Sequence, residues 1–199
     1  VNSGLDAIPF VGLGKGIIEF FAGDLISDKQ PAPDKKIPVP VKKEEEKDKG
    51  TAIVKDGARI YNNIQLNASG IKLEKAYLFL ESGERVPDDN FVDFNGTIKL
   101  RLQFGSDWKE ENGKVLLGAS EKILNENGEV VLQENDLFEK YPEGVSVEDS
   151  KIVFLSAILK LKPSAQPTSC TVFFRVWDKR SDAFVEGSYQ LFSKLFIIF

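Results

Sequence analysis

The chain has no histidine and no methionine, and its single cysteine is Cys170. Without histidine, the commonest general base and the commonest metal ligand are both missing, which excludes Ser–His and Cys–His nucleophile pairs and imidazole metal sites. One cysteine permits neither an internal disulfide nor a thiolate cage. Cys170 begins an apolar stretch beside Thr171 and Val172 and reads as a buried structural thiol. With no methionine even at position 1, the chain reads as a processed or excised form whose export signal, if any, lies outside it. Long apolar runs are also missing. A membrane-spanning helix needs about 20 mostly apolar residues, whereas the most apolar early stretch, residues 5–26, is broken by Asp6, Lys15, Glu19 and Asp24. No transmembrane span is expected. The net charge of −5 comes without any basic stripe interleaved with aromatics, so nucleic acid is not an expected partner.

What is present divides into three stretches: a head (1–28), a linker (29–50) and a body (51–199). The linker holds Pro31, Pro33, Pro38 and Pro40, then the run KKEEEKDK. Proline fixes φ and removes a donor, and the charged run has nothing to bury, so the linker reads as a solvated, semi-rigid tether. A proline ligand for a partner's aromatic groove is the sharper reading of the same residues. The head carries Pro9 and the glycines Gly12, Gly14, Gly16 and Gly23, which predict an extended entry and a short helix over residues 15–21. Ile17, Ile18, Phe20 and Phe21 are too apolar to stay wet and should dock on the body, a sister chain or a neighbouring domain. On this reading the body folds without residues 1–50.

The strings Ile8-Pro9-Phe10-Val11-Gly12, Gly16-Ile17-Ile18-Glu19 and Gly23-Asp24-Leu25-Ile26 resemble the pre-toxin segment of bacterial polymorphic toxins, which lies between a delivery region and a C-terminal effector domain. The resemblance covers about a tenth of the chain and implies a junction, not a catalytic role. Here Ser27-Asp28 leads into the prolines where that family tends to continue with another glycine–acid turn.

In the body, residues 97–104 (TIKLRLQF) alternate strictly, with Ile98, Leu100, Leu102 and Phe104 on one face, as in a half-buried antiparallel strand. Residues 76–80, 114–124 and 129–133 follow suit, and Asn127-Gly128 marks a hairpin turn. Residues 152–161 and 171–177 are apolar on both faces and read as central strands; 184–192 adds another, and weaker strands fall near 52–54 and 59–66. With only a short helical turn near 136–141, the pattern predicts a mainly β fold, an antiparallel two-sheet sandwich of immunoglobulin-like architecture.

Candidate chemistry is sparse. Trp108, in a polar loop, and Trp177, at a strand end, could stack on a sugar or peptide. Asp178, Asp182 and Glu186 surround one turn and could supply oxygen ligands to calcium; otherwise no cofactor is called for. A carboxylate pair for glycoside hydrolysis would come from Asp88, Asp89, Asp93, Asp107, Glu110, Glu111, Asp136, Glu143, Glu148, Asp149, Asp178 or Asp182. Most of these occupy turns, where solvated acids belong, and no catalytic residue is assigned. The leading reading is a non-catalytic binding or assembly module of a bacterial secreted or surface protein, with a cytoplasmic setting left open. A toxin-associated domain and a carboxylate-dependent hydrolase are the alternatives.

Overall fold

The computed structural model describes residues 5–13, 20–21, 52–105, 108–161 and 168–193. In chain order the elements are β1 (Leu5–Leu13), β2 (Phe20–Phe21), β3 (Ile53–Lys55), β4 (Ala58–Ile60), β5 (Gln65–Ser69), β6 (Leu73–Leu80), β7 (Phe91–Val92) and β8 (Thr97–Phe104). There follow β9 (Glu110–Glu111), β10 (Lys114–Val115), β11 (Leu117–Asn125), β12 (Val130–Glu134), β13 (Val145–Ser146), α1 (Val147–Ser150), β14 (Ile152–Leu161), β15 (Ser169–Asp178) and β16 (Phe184–Ser193). A seven-stranded sheet runs β2-β1-β14-β8-β6-β4-β3, and a second runs β12-β11-β15-β16-β5 with β7 added to β16. A small third sheet, β13-β10-β9, shares no ladder with either but contributes Val115 and Val145 to the common core. The fold is mainly β, as the alternation predicts. Pairing is antiparallel except at β4–β6 and β16–β7, which are parallel.

Period-two patterning sets which faces meet. Leu78, Leu100, Leu102 and Leu155 from the first sheet join Ile123, Val172, Phe174, Val185 and Leu191 from the second in one continuous core. The Asn127-Gly128 hairpin forms as expected, with Gly128 at φ 78°. β14 is central and buried on both faces, as its sequence requires. β15 departs from that expectation: its inner residues are buried, but Phe173 on the outer face is 43 % exposed.

The head is part of this architecture. β1 pairs antiparallel with β14 from Leu5↔Leu161 to Leu13↔Val153, giving β14 a partner on its second edge. The short helix expected over residues 15–21 is corrected at its described end, where Phe20–Phe21 forms a strand against Val11 and Phe10. Ile17 and Ile18 lie outside the described residues, as does the linker. Because β1 supplies a nine-residue partner, removing the head would leave β14 as a long apolar edge.

Two asparagines fasten the sheets together. Asn62 and Asn90 are buried with φ of 57° and 59°, in the left-handed region that asparagine tolerates better than most residues. The Asn62 amide donates to the carbonyls of Val86 (2.9 Å) and Pro87 (3.1 Å) and to Asn90 Oδ1 (3.0 Å), while its Oδ1 accepts the Leu78 N–H at 2.9 Å. Asn90 in turn donates to the carbonyls of Asn62 and Gln190, both at 2.8 Å, and so ties the β4–β5 crossover to β16.

The core also holds an orphan. Leu117, Ala119, Glu121, Ile123 and Asn125 share the buried face of β11, and Glu121 is 1 % exposed. Neither of its carboxyl oxygens has a hydrogen-bond partner among the described residues. Burial pushes its pKa up from 4.5 to about 8. The Cys170 thiol is pushed up to about 12, first by burial and then by Glu121, and Tyr189 is raised by the same causes.

Two outcomes follow for stability. Asn62→Ala removes the partners of the Leu78 N–H and the Val86 carbonyl, whereas the Pro87 carbonyl keeps the Asn90 N–H, so urea unfolding should show a loss on the order of 3 kcal/mol; a change below about 1 kcal/mol would mean the clasp is dispensable. Glu121 holds its proton more tightly folded than unfolded. The Glu121 contribution to stability should therefore be greatest below pH 4.5 and decline up to pH 8, by at most about 1.4 kcal/mol per pH unit. Glu121→Gln should flatten that decline and raise the melting temperature at pH 8. An unchanged pH profile in the variant would show that Glu121 ionises freely in the folded protein.

Candidate functional site

The two sheets differ on their outer faces. On the seven-stranded sheet that face is closed: Tyr61, Tyr77, Phe79 and Phe154 form a buried aromatic cluster, with the Arg101 guanidinium 5.7 Å from the ring centres of Tyr77 and Phe154. On the second sheet the outer face is open and holds a groove of about 610 Å³ that crosses all of β12, β11, β15, β16 and β5. Strand register arranges its floor in two rows perpendicular to the strands. Gln133, Lys122, Phe173, Ser188 and Gln65 form one; Ser120, Arg175, Glu186 and Asn67 form the other. Partners directly opposite across a ladder point to the same side, so each row is a line of neighbouring side chains.

Phe173 stands near the middle, an exposed aromatic ring surrounded by amides, a hydroxyl and charges. Arg175 is held in place from several sides. Its guanidinium lies 4.9 Å from the Phe184 ring centre and 6.0 Å from that of Trp177, and its Nε is 3.7 Å from Glu186 Oε2. Trp177 can lie flat because position 118 is glycine; a Cβ there would collide with the indole. Gly187 serves the far end in the same way. A Cβ at 187 would strike the Gln65 carbonyl oxygen and the Phe174 ring, so only glycine lets β5 approach closely enough to extend the floor.

Beyond β5 lies a second cavity of about 390 Å³, lined in part by Lys55, Asp56, Ala68, Gly70 and Lys72. It shares Leu66 and Asn67 with the groove, so the two meet at the β5 edge. There Lys55 Nζ donates to the Leu66 carbonyl at 2.9 Å. A lysine on an edge carbonyl blunts the strand against further pairing.

The residues singled out by sequence scatter differently. Trp177 lies on the open face, one ladder step beyond the Arg175 row. Trp108 is corrected from an exposed platform to a core residue: it is 3 % exposed, meets Phe104 edge-on at 4.7 Å, and donates from Nε1 to the Ser150 carbonyl. Asp178, Asp182 and Glu186 do not converge. Asp178 is buried and accepts the N–H groups of Lys109 (2.7 Å) and Arg180 (2.8 Å), Asp182 is exposed, and Glu186 faces Arg175. Among the described residues no three acidic, cysteine or histidine side chains gather as a metal site. Of the acids considered for hydrolysis, Asp88 pairs with Arg85, Asp136 with Lys179, and the Asp89, Asp93 and Asp149 carboxylates accept from local donors, Asp149 from the Ser146 hydroxyl; Asp107 lies outside the described residues. The sequence reading missed Phe173, Arg175 and the amides of β5. Phe173-Phe174 was the available signal, since adjacent strand residues face opposite sides and one of the two had to lie on the outer face.

No family model and no curated protein matches this chain. Among solved structures, the C-terminal domain of wzt is similar at a TM-score of 0.42 and 14% identity, over 69% of this chain and 81% of that one. A family 123 glycoside hydrolase from Clostridium perfringens, whose structure addresses glycolipid glycan hydrolysis, is similar at a TM-score of 0.32 and 12% identity; the match covers 66% of this chain and 28% of the hydrolase.

Proposed function

We propose that this chain is a non-catalytic, glycan-binding sandwich module that uses the open outer face of the β12-β11-β15-β16-β5 sheet. The observation that carries the reading is the groove floor, where the exposed ring of Phe173 is bordered by amide, hydroxyl and paired charged groups in two registered rows. A sugar ring offers one face of C–H groups and a rim of hydroxyls. The first packs on an aromatic face; the second suits planar amides, carboxylates and guanidinium groups, each able to bond two hydroxyls at once. Charge in the groove is balanced, with Lys122 and Arg175 against Glu134 and Glu186, and Glu121 turned into the core. That balance favours an uncharged ligand over a phosphate or a polyanion. Glu186 is engaged by Arg175, which suits a hydrogen-bonding role rather than that of a free acid or nucleophile.

The test is retention on an array of soluble polysaccharides containing mixed-linkage glucan, galactomannan, xylan and polygalacturonate, followed by calorimetry on whatever binds. At least one neutral polymer should be retained, and Phe173→Ala should weaken it by about tenfold or more, roughly 1.4 kcal/mol. Val54→Ser, at an exposed position on β3, should leave binding unchanged. Retention of none of the polymers, or equal binding by Phe173→Ala, would overturn the reading.

A further inference from the structure

We infer that the groove takes an internal stretch of a linear, uncharged polysaccharide, laid across the strands and continuing round the β5 edge into the second cavity. This rests on the glycan-binding reading and adds the ligand's direction, length and point of recognition. Direction comes from the register: the polar rows run perpendicular to the strands, from Gln133 on β12 to Gln65 and Asn67 on β5. Length comes from strand spacing. Four intervals of about 4.8 Å make the floor about 19 Å long, room for roughly four sugar rings end to end.

The ends of the groove decide what part of a polymer it reads. A site for a chain terminus needs a wall. Here the described residues at both ends belong to the short edge strands β12 and β5 or follow directly on β12, and the groove-lining Gln133, Asn135, Gln65 and Asn67 are exposed. At the β5 end, Leu66 and Asn67 border both cavities, so the path turns the edge instead of stopping there. Lys55 occupies the Leu66 carbonyl on that edge, which hinders the alternative of an extended peptide adding as a further strand. The second cavity brings Asp56 and Lys72 near the continuing chain, where hydroxyls could meet them.

The experiment uses the full chain with mixed-linkage glucan, galactomannan and xylan. Each is presented as intact polymer and as oligosaccharides from the disaccharide upward, with the reducing ends converted to alditols in a parallel set. Affinity should climb with each added ring, reaching at least about tenfold over the disaccharide once roughly four to six rings are present. Blocking the reducing end or enzymatically capping the non-reducing end should leave it within about twofold. Ala68→Trp, which fills the second cavity at an exposed position, should lower the plateau for long chains and spare the short ones. Affinity already maximal at the disaccharide, or abolished by capping either end, would show terminal recognition and overturn this inference while the glycan-binding reading stands. An unchanged plateau in Ala68→Trp would remove the continuation past β5. Retention of none of the polymers would overturn both.

Discussion

The arrangement of the two sheets depends on a pair of buried asparagine side chains. The chain leaves the first sheet at Ile60 and enters the second at Gln65, and it departs again after Leu80 to lend β7 to β16 before returning as β8. Each crossing buries backbone groups that no ladder can satisfy, at a cost of about 1–3 kcal/mol for each group left unpaired. Asn62 and Asn90 satisfy the N–H of Leu78 and the carbonyls of Val86, Pro87, Asn62 and Gln190. By fixing where the β4–β5 crossover meets β16, they place Gln65 and Asn67 at the end of the groove. The site's geometry is thus set from inside the core, well away from the face that would meet a ligand.

From that frame follows an inequality between the sheets. The first spends its outer face on packing, down to the Lys99 ammonium, buried and 3.1 Å from the Glu81 carboxylate. The second leaves its outer face open and organises it. A lone exposed phenylalanine needs no explanation, but Phe173 lies on the floor of a groove beside a cation already restrained by two rings and a carboxylate. A guanidinium held in this way loses less freedom on binding than a free one, which is the physical content of pre-organisation. Gly118 and Gly187 are the sequence-level conditions for it, one admitting the indole and the other the edge strand.

Much of this was legible without coordinates. Strict alternation at 97–104 located β8 and its buried face, the doubly apolar run at 152–161 identified a central strand, and Asn127-Gly128 placed a hairpin. Two-residue strands such as β9 and β13 left no trace, because two residues cannot display a period, and β10 was legible only as the start of the strand expected over 114–124. β1 was obscured by Pro9, which argues against a strand interior. The structure accommodates it because, among the described residues, β2 pairs only with Phe10 and Val11, so the far side of Pro9 meets no ladder partner there. Trp108 looked exposed among Asp107 and Lys109, and only tertiary contact with Phe104 and Ser150 buries it. Period two did place Glu121 on the face of Ala119 and Ile123, a local contradiction that the sequence carried in plain view.

An open sheet face bounded by two edge strands carries a hazard as well as a use, since a flat edge invites another chain to pair with it. The features that shape the groove also limit that risk. The β5 edge bears Lys55 on its Leu66 carbonyl, and three of its four exposed residues, Gln65, Asn67 and Ser69, are polar. β12 is only five residues long, is joined to β11 through a register shift, and ends at Glu134. Polar edges that discourage strand addition are also the open mouths through which a polyhydroxylated chain could pass. On the proposed reading, the same chemistry that keeps β-strands off the edges would favour a ligand that brings no backbone ladder of its own, with the polar floor and the Phe173 ring supplying its affinity.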